Sequence, residues 1–150
     1  MIRRAEIADL PEMRRIAQQA YARYIPAIGR RPAPMDADYA EQISGGHAYV
    51  AQTDTGDLAG FIVFFPKGQS MFLENVAVDQ EMTGRGIGRA LITYCETQAR
   101  VGGFGSVSLY TNARMTANLR IYPRLGYVRT GRGREDGFDR IYFSKDLTSA

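Results

Sequence analysis

Gly84, Gly86 and Gly88 stand at alternate positions between an apolar run and a helical stripe. The run, Leu73 to Val78, stops at Asp79; Ile87, Ala90, Leu91, Tyr94 and Cys95 then recur three and four residues apart. That order predicts a strand, a glycine-rich turn and the first turn of a helix. Such a junction gathers unpaired backbone N–H groups and the positive end of a helix at one point, which suits a phosphate or pyrophosphate. Glycines let the main chain approach such a ligand closely, and Arg85 and Arg89 place positive charge beside it.

Two familiar phosphate signatures do not fit. A P-loop needs Gly-x-x-x-x-Gly-Lys before Ser or Thr, a string this sequence lacks. A dinucleotide fingerprint needs Gly-x-Gly-x-x-Gly after the first strand of a βαβ unit. Here the third glycine is replaced by Arg89 in one register and Leu91 in the other, and the turn lies mid-chain. Taken alone, the glycines also admit a plain role in shaping a strand-to-helix turn.

A third signature does fit. Thr83-Gly84-Arg85-Gly86-Ile87-Gly88 resembles the Arg/Gln-x-x-Gly-x-Gly/Ala motif with which GNAT superfamily N-acetyltransferases bind acetyl-coenzyme A, with Thr83 in place of the usual Arg or Gln. Further on, Ser108 to Gly131 is similar to that family's Asn-bearing helix and its Tyr-x-x-x-Gly-Phe/Tyr string, here Asn118, Tyr122, Gly126 and Tyr127. The resemblance covers most of the chain and is sharpest from Phe72 to Val128. It implies an α/β fold of the α+β mixed-sheet kind. The expected core is a mostly antiparallel central sheet, flanked by helices, whose fourth and fifth strands splay apart. It implies one such domain over residues 1–150. Pantetheine would then pair with the main chain of Val76, Ala77 and Val78, and Asn118 would reach it from the opposite side.

The resemblance implies acetyl transfer from the thioester to a primary amine of a small molecule or peptide. The amine must arrive neutral, and a lysine-like amine of pKa ~10.4 is neutral in about one molecule per thousand or fewer at pH 7. Glu74, inside an otherwise apolar strand, is the candidate base, on the side of Val76 and Val78 by period two. A structural ion pair or a solvent-facing position are its alternatives. Tyr122 is the candidate acid for the leaving thiolate, or else a packed helix residue. Pro123 beside it is an unusual insert for a helix. Tyr21, Tyr24, Met35 and Tyr39 are candidates for lining the acceptor pocket, against the alternative that they pack two helices together. The rival functions are a non-catalytic acyl-coenzyme A-binding module of the same fold and a nucleic-acid-associated protein using its arginines.

The elements that must position these residues follow from patterning. Ile2 to Ala5 reads as a strand, and Asp9 as the cap of a helix whose stripe runs from Leu10 to Tyr24 and ends at Pro26. A loop, a short helix from about Asp36 to Ser44, and strands at 47–53, 58–65 and 71–78 come next. After the motif helix come a strand at 106–111, a helix at 117–125, and strands at 127–130 and 138–144 around an Arg-rich polar turn. The net charge of +3 is too mild to argue for nucleic acid, and no apolar run approaches a membrane span. The basic start of the chain lacks the apolar stretch of a secretory signal, and the single cysteine fits a reducing cytoplasm. Cys95 lies on an apolar stripe and His47 is the lone histidine, so neither a nucleophile nor a metal ligand set is expected. A homodimer is left open.

Overall fold

The structure, a computed structural model, describes residues 1–148. Seven strands form one sheet: β1 (Ile2–Arg4), β2 (Ala48–Gln52), β3 (Leu58–Lys67), β4 (Ser70–Val78), β5 (Ser106–Asn112), β6 (Val128–Glu135) and β7 (Phe138–Asp146). Their spatial order is β1-β2-β3-β4-β5-β7-β6. The helices are α1 (Leu10–Ala22), α2 (Ile25–Ile28), α3 (Tyr39–Ser44), α4 (Ile87–Val101) and α5 (Thr116–Arg124).

Every pairing is antiparallel except that of β4 with β5, which is parallel and consists of Met71↔Val107 and Phe72↔Ser108. Beyond those rungs Leu73 and Asn75 to Val78 pair with β3 alone, and Leu109 to Asn112 with β7 alone. The two central strands therefore splay, as expected.

Apolar stripes cover both faces. On one, Leu91, Ile92, Cys95 and Ala99 of α4 pack with Ile62, Leu73, Val107 and Phe143. On the other, Met13, Ile16 and Ala17 of α1 and Tyr39 and Ile43 of α3 pack with Val50, Phe61 and Val63.

A β-bulge in β4 corrects the placement of Glu74. Val63 faces Asn75 and the next residue, Phe64, faces Leu73, so Glu74 is the extra residue of the bulged strand. The bulge breaks period two: Leu73 and Val76, three apart, both pack in the α4-side core. Glu74 does not share the side of Val76; its Oε2 accepts from Gln42 Nε2 of α3 at 2.6 Å.

Other expectations shift for local reasons. Asp9 stands at the N-cap of α1, as expected, but its side chain makes no capping bond there; its carboxylate accepts from Arg3 (2.8 and 2.9 Å) and from the Glu6 amide (2.7 Å), tying β1 to the start of the helix. Pro26 opens α2 rather than ending α1, as a residue without an N–H can. The segment 36–44 divides into a 3₁₀ turn at Ala33–Asp36 and α3, which Asp38 caps by accepting from the Glu41 amide at 3.1 Å. The Arg-rich stretch from Arg129 to Arg140 is no loop: β6 and β7 run through it and reverse at Asp136 and Gly137, both with positive φ. An edge strand is held by backbone bonds to one neighbour, and its exposed charges hide it from an apolar pattern.

Candidate active site

The glycine turn is tied down at its base. Asp79 accepts from Arg15 Nη2 of α1 at 2.7 Å and from the Glu81 amide at 2.9 Å. Arg15 in turn holds the Asp79 carboxyl below its ordinary range. Thr83 Oγ1 donates to the Gln80 carbonyl at 3.1 Å, so the residue standing for the family's Arg or Gln serves the turn. Gly84 and Gly86 adopt φ of +81° and +77°, which side chains resist. Gly86 caps α4 with no side-chain cap, and the first helical bond runs from the Ala90 amide to the Gly86 carbonyl at 2.9 Å. The amides of Ile87, Gly88 and Arg89 thus lack intrahelical acceptors, and no acidic residue stands in that first turn.

These amides open on a cleft of about 480 Å³ between the end of β4 and α5. Thr83, Gly84, Gly86, Ile87, Gly88 and Arg89 line it, as do Val76, Ala77 and Val78. Arg85 is exposed and lies outside its wall. Asn118, Ile121 and Tyr122 of α5 form the far side.

A second cavity, of about 100 Å³, lies deeper between β4 and β5. Glu74, Gln42, Tyr110 and Arg140 are in its wall. Tyr21, Val76, Asn118 and Tyr122 line both cavities, so the two meet at these four side chains.

Burial pushes the Glu74 carboxyl above its ordinary value, against the smaller opposing pull of His47 and Lys67. Burial likewise raises the Tyr122 hydroxyl, with Cys95 adding to the effect. The Tyr122 ring packs edge-on against Tyr127 at 5.6 Å and beside Phe143 at 5.8 Å. Among the described residues its hydroxyl makes no side-chain hydrogen bond, so it faces the junction with its proton free to donate. Pro123 is accommodated because α5 ends there: the Leu125 and Tyr127 amides both bond the Tyr122 carbonyl, each at 3.0 Å. Asn118 Nδ2 donates to Thr111 Oγ1 at 3.2 Å, which leaves its carbonyl oxygen for the cavities.

A model of the acetyltransferase (GNAT) family matches residues 10–127, a span that holds the turn, the splayed strands and Tyr122. The chain belongs to that family. This GNAT chain is 38% identical over 85 residues to a mycothiol acetyltransferase of Rhodococcus erythropolis, covering 53% of the chain but 28% of that relative's length. Its fold matches the ribosomal-protein-S18-alanine N-acetyltransferase of Escherichia coli, with a TM-score of 0.78, 23% identity and coverage of 100% and 95% of the two chains. It also matches the PaiA N-acetyltransferase of Thermoplasma acidophilum, solved with coenzyme A, with a TM-score of 0.75, 19% identity and coverage of 97% and 98%. At those identities the two structures speak for the fold.

The acceptor-side candidates of the GNAT chain divide. Tyr21 lines both cavities and Tyr24 the larger one. Met35 and Tyr39 lie in the core beneath α1 and in neither wall. Tyr39 stands edge-on to Phe61 at 5.2 Å, accepts from Asn75 Nδ2 at 2.6 Å and donates to the Pro34 carbonyl. Arg140 was not singled out in the sequence, where the stretch from Arg129 to Arg140 reads first as a solvated turn and only second as a substrate contact. Its signal was present: on β7 it shares a face with Phe138, two residues away. Cys95 is fully buried and its thiol is pushed far up by burial, as suits a core residue.

Proposed function

We propose that this chain moves an acetyl group from acetyl-coenzyme A to a primary amine of a small molecule or peptide. The observation that carries the reading is the junction at Tyr21, Val76, Asn118 and Tyr122, where a cleft suited to a nucleotide carrier meets a pocket holding a carboxylate. Family membership supports acetyl-coenzyme A as the cosubstrate. The lone cysteine, free and buried, supports a reducing, cytoplasmic setting.

In this reading the pyrophosphate rests on the free amides that open α4, aided by the helix dipole and Arg89. Pantetheine runs along the unpaired edge of Val76 to Val78, which brings the thioester to the junction. Glu74 draws the acceptor ammonium in and takes its proton; a carboxyl whose pKa is raised by burial is a better base than an exposed one. The nitrogen lone pair then forms the C–N bond as the C–S bond breaks. The nitrogen sheds its second proton as the amide forms, and the leaving thiolate gains one, from Tyr122 or from water, so that the donor is reprotonated by the proton the nitrogen gives up. A thiol has pKa ~8.5, so donation from a buried tyrosine runs uphill, and the main gain comes from holding amine and thioester together.

The test replaces Glu74→Gln and Tyr122→Phe separately. Thiol release with a turned-over amine should fall in each, with the affinity for acetyl-coenzyme A kept. Unchanged turnover in both variants removes these two side chains from the chemistry; acetyl-coenzyme A bound by the unaltered protein with no thiol release for any amine favours the non-catalytic carrier-binding module.

A further inference from the structure

The smaller cavity carries chemistry that acetyl transfer alone does not use. Gln42 Oε1 is buried in its wall and has no hydrogen-bond partner among the described residues. A buried amide oxygen without a donor is destabilising until one arrives. The Gln42 Nε2 is already committed to Glu74 Oε2 at 2.6 Å, so the unpartnered oxygen and the carboxylate belong to two hydrogen-bonded side chains of one wall. An amine nitrogen, with several N–H donors, satisfies both.

Arg140 also lines the cavity; among the described residues it is the only cationic side chain in the wall, as Glu74 is the only anionic one. The Arg140 side chain is 8% exposed, and its guanidinium sits 4.1 Å over the Tyr110 ring. Its one hydrogen bond among the described residues runs from Nη1 to Glu135 Oε2, at 3.2 Å, and that carboxylate faces solvent. Nε and Nη2 keep their donors. Among the described residues Arg140 and Glu74 form no ion pair with each other; burial raises the Tyr110 hydroxyl on the same wall, with Arg140 pulling it down and Glu74 pushing it up. The cavity thus holds separated opposite charges with unspent hydrogen-bonding capacity at each end.

The space limits what enters. About 100 Å³ holds only a few heavy atoms. Arg30 ties the segment after α2 to the β6–β7 turn beside it, donating to the Asp136 carbonyl at 3.0 Å and stacking over Phe138 at 4.1 Å. Phe138 is itself part of the cavity wall.

We infer that the acceptor is a small zwitterionic amine, an amino-acid-like molecule whose nitrogen sits between Glu74 and Gln42 Oε1 and whose carboxylate rests on Arg140. The inference rests on the acetyl-transfer reading and narrows it. Arg140 supplies the paired N–H groups that match a carboxylate. Gln42 acts as a positioning residue that orients the nitrogen toward the junction.

The test measures thiol release from acetyl-coenzyme A with glycine and β-alanine, with the amides of both, with ethanolamine and with putrescine. The amides carry less basic amines, so their chemistry alone favours them over the acids. The amino acids should nevertheless exceed their amides by about tenfold or more in kcat/KM. In Arg140→Gln that ratio should collapse toward one, and in Arg140→Lys part of it should return. Gln42→Leu should raise KM for each amine more than it lowers kcat. Amides, ethanolamine or putrescine turned over as well as the amino acids would overturn the zwitterion assignment and leave acetyl transfer standing. If no amine is turned over while acetyl-coenzyme A still raises Tm, both fail. If Arg140→Gln does not fold, the ratio in the unaltered protein decides.

Discussion

Tyr21 Oη on α1 lies 2.8 Å from the carbonyl oxygen of Val76 and also donates to Asn75 Oδ1. One hydroxyl proton serves two acceptors on a strand whose other edge is unpaired. Asn75 passes the chain onward to Tyr39, and Tyr39 to the Pro34 carbonyl. The whole series points one way, from helix α1 through β4 to the segment before α3. Tyr21→Phe strands Asn75 Oδ1 in the interior, where burial had raised the tyrosine hydroxyl. The loss should be about 1–3 kcal/mol, seen as a Tm lower by a few to about ten degrees.

Gly88→Ala separates the carrier-binding role of the turn from its folding role. Gly88 lacks a positive φ, and an added Cβ meets only Val78 Cγ2 at 3.4 Å, an ordinary contact. Alanine inside a helix should gain roughly 0.5–1 kcal/mol of stability. The same methyl stands beside the free amides, so affinity for acetyl-coenzyme A, measured by calorimetry, should drop about tenfold or more. A tighter or unchanged complex would remove the pyrophosphate from this turn. Gly86→Glu, with charge and strain together, should abolish binding.

Glu74→Gln should make the protein more stable and less active at once. The folded carboxyl titrates above its ordinary 4.5, so the folded state holds the proton more firmly than the unfolded chain. That contribution is complete below the ordinary value and is lost as pH rises through the raised one. The glutamine variant has no such loss. Its Tm should match the parent in acid and exceed it at neutral pH. Its amide can still accept from Gln42 Nε2 and can donate to Gln42 Oε1 as well. In the parent, kcat/KM should rise with pH through the raised Glu74 value, and this limb should vanish in the variant.

Lys145→Met tests the support behind α4. Glu96 on that helix is buried; it accepts from Lys145 Nζ at 2.9 Å and from Tyr127 Oη at 2.9 Å. Removing the cation leaves the carboxylate with a single neutral donor. A loss of about 1–3 kcal/mol is expected in chemical denaturation. Pairing Lys145→Met with Glu96→Leu should recover much of it, because the desolvated charge is gone.

The parts of this molecule written in local pattern were legible in the sequence. The turn from Asp79 to Gly88 carries its geometry in its glycines, and α1 and α4 carry theirs in their stripes. What stayed hidden depends on pairing between distant segments. Nothing near Glu74 announces the bulge, because register is set jointly by β3 and β4. Arg140 reads as a loop charge until β7 lies beside β5 and its guanidinium finds the Tyr110 ring. Met35 and Tyr39 have aromatic or pliant side chains that suit a pocket, yet tertiary packing turned both inward.

The contact between β4 and β5 is only two rungs long. A carrier bound there, as proposed, would bridge two half-sheets that otherwise touch edge to edge over those rungs. Whatever binds only the folded form raises its resistance to opening. On the proposed reading the reagent would also be a beam, and the amide hydrogens of Leu109 to Asn112 should exchange more slowly as occupancy rises.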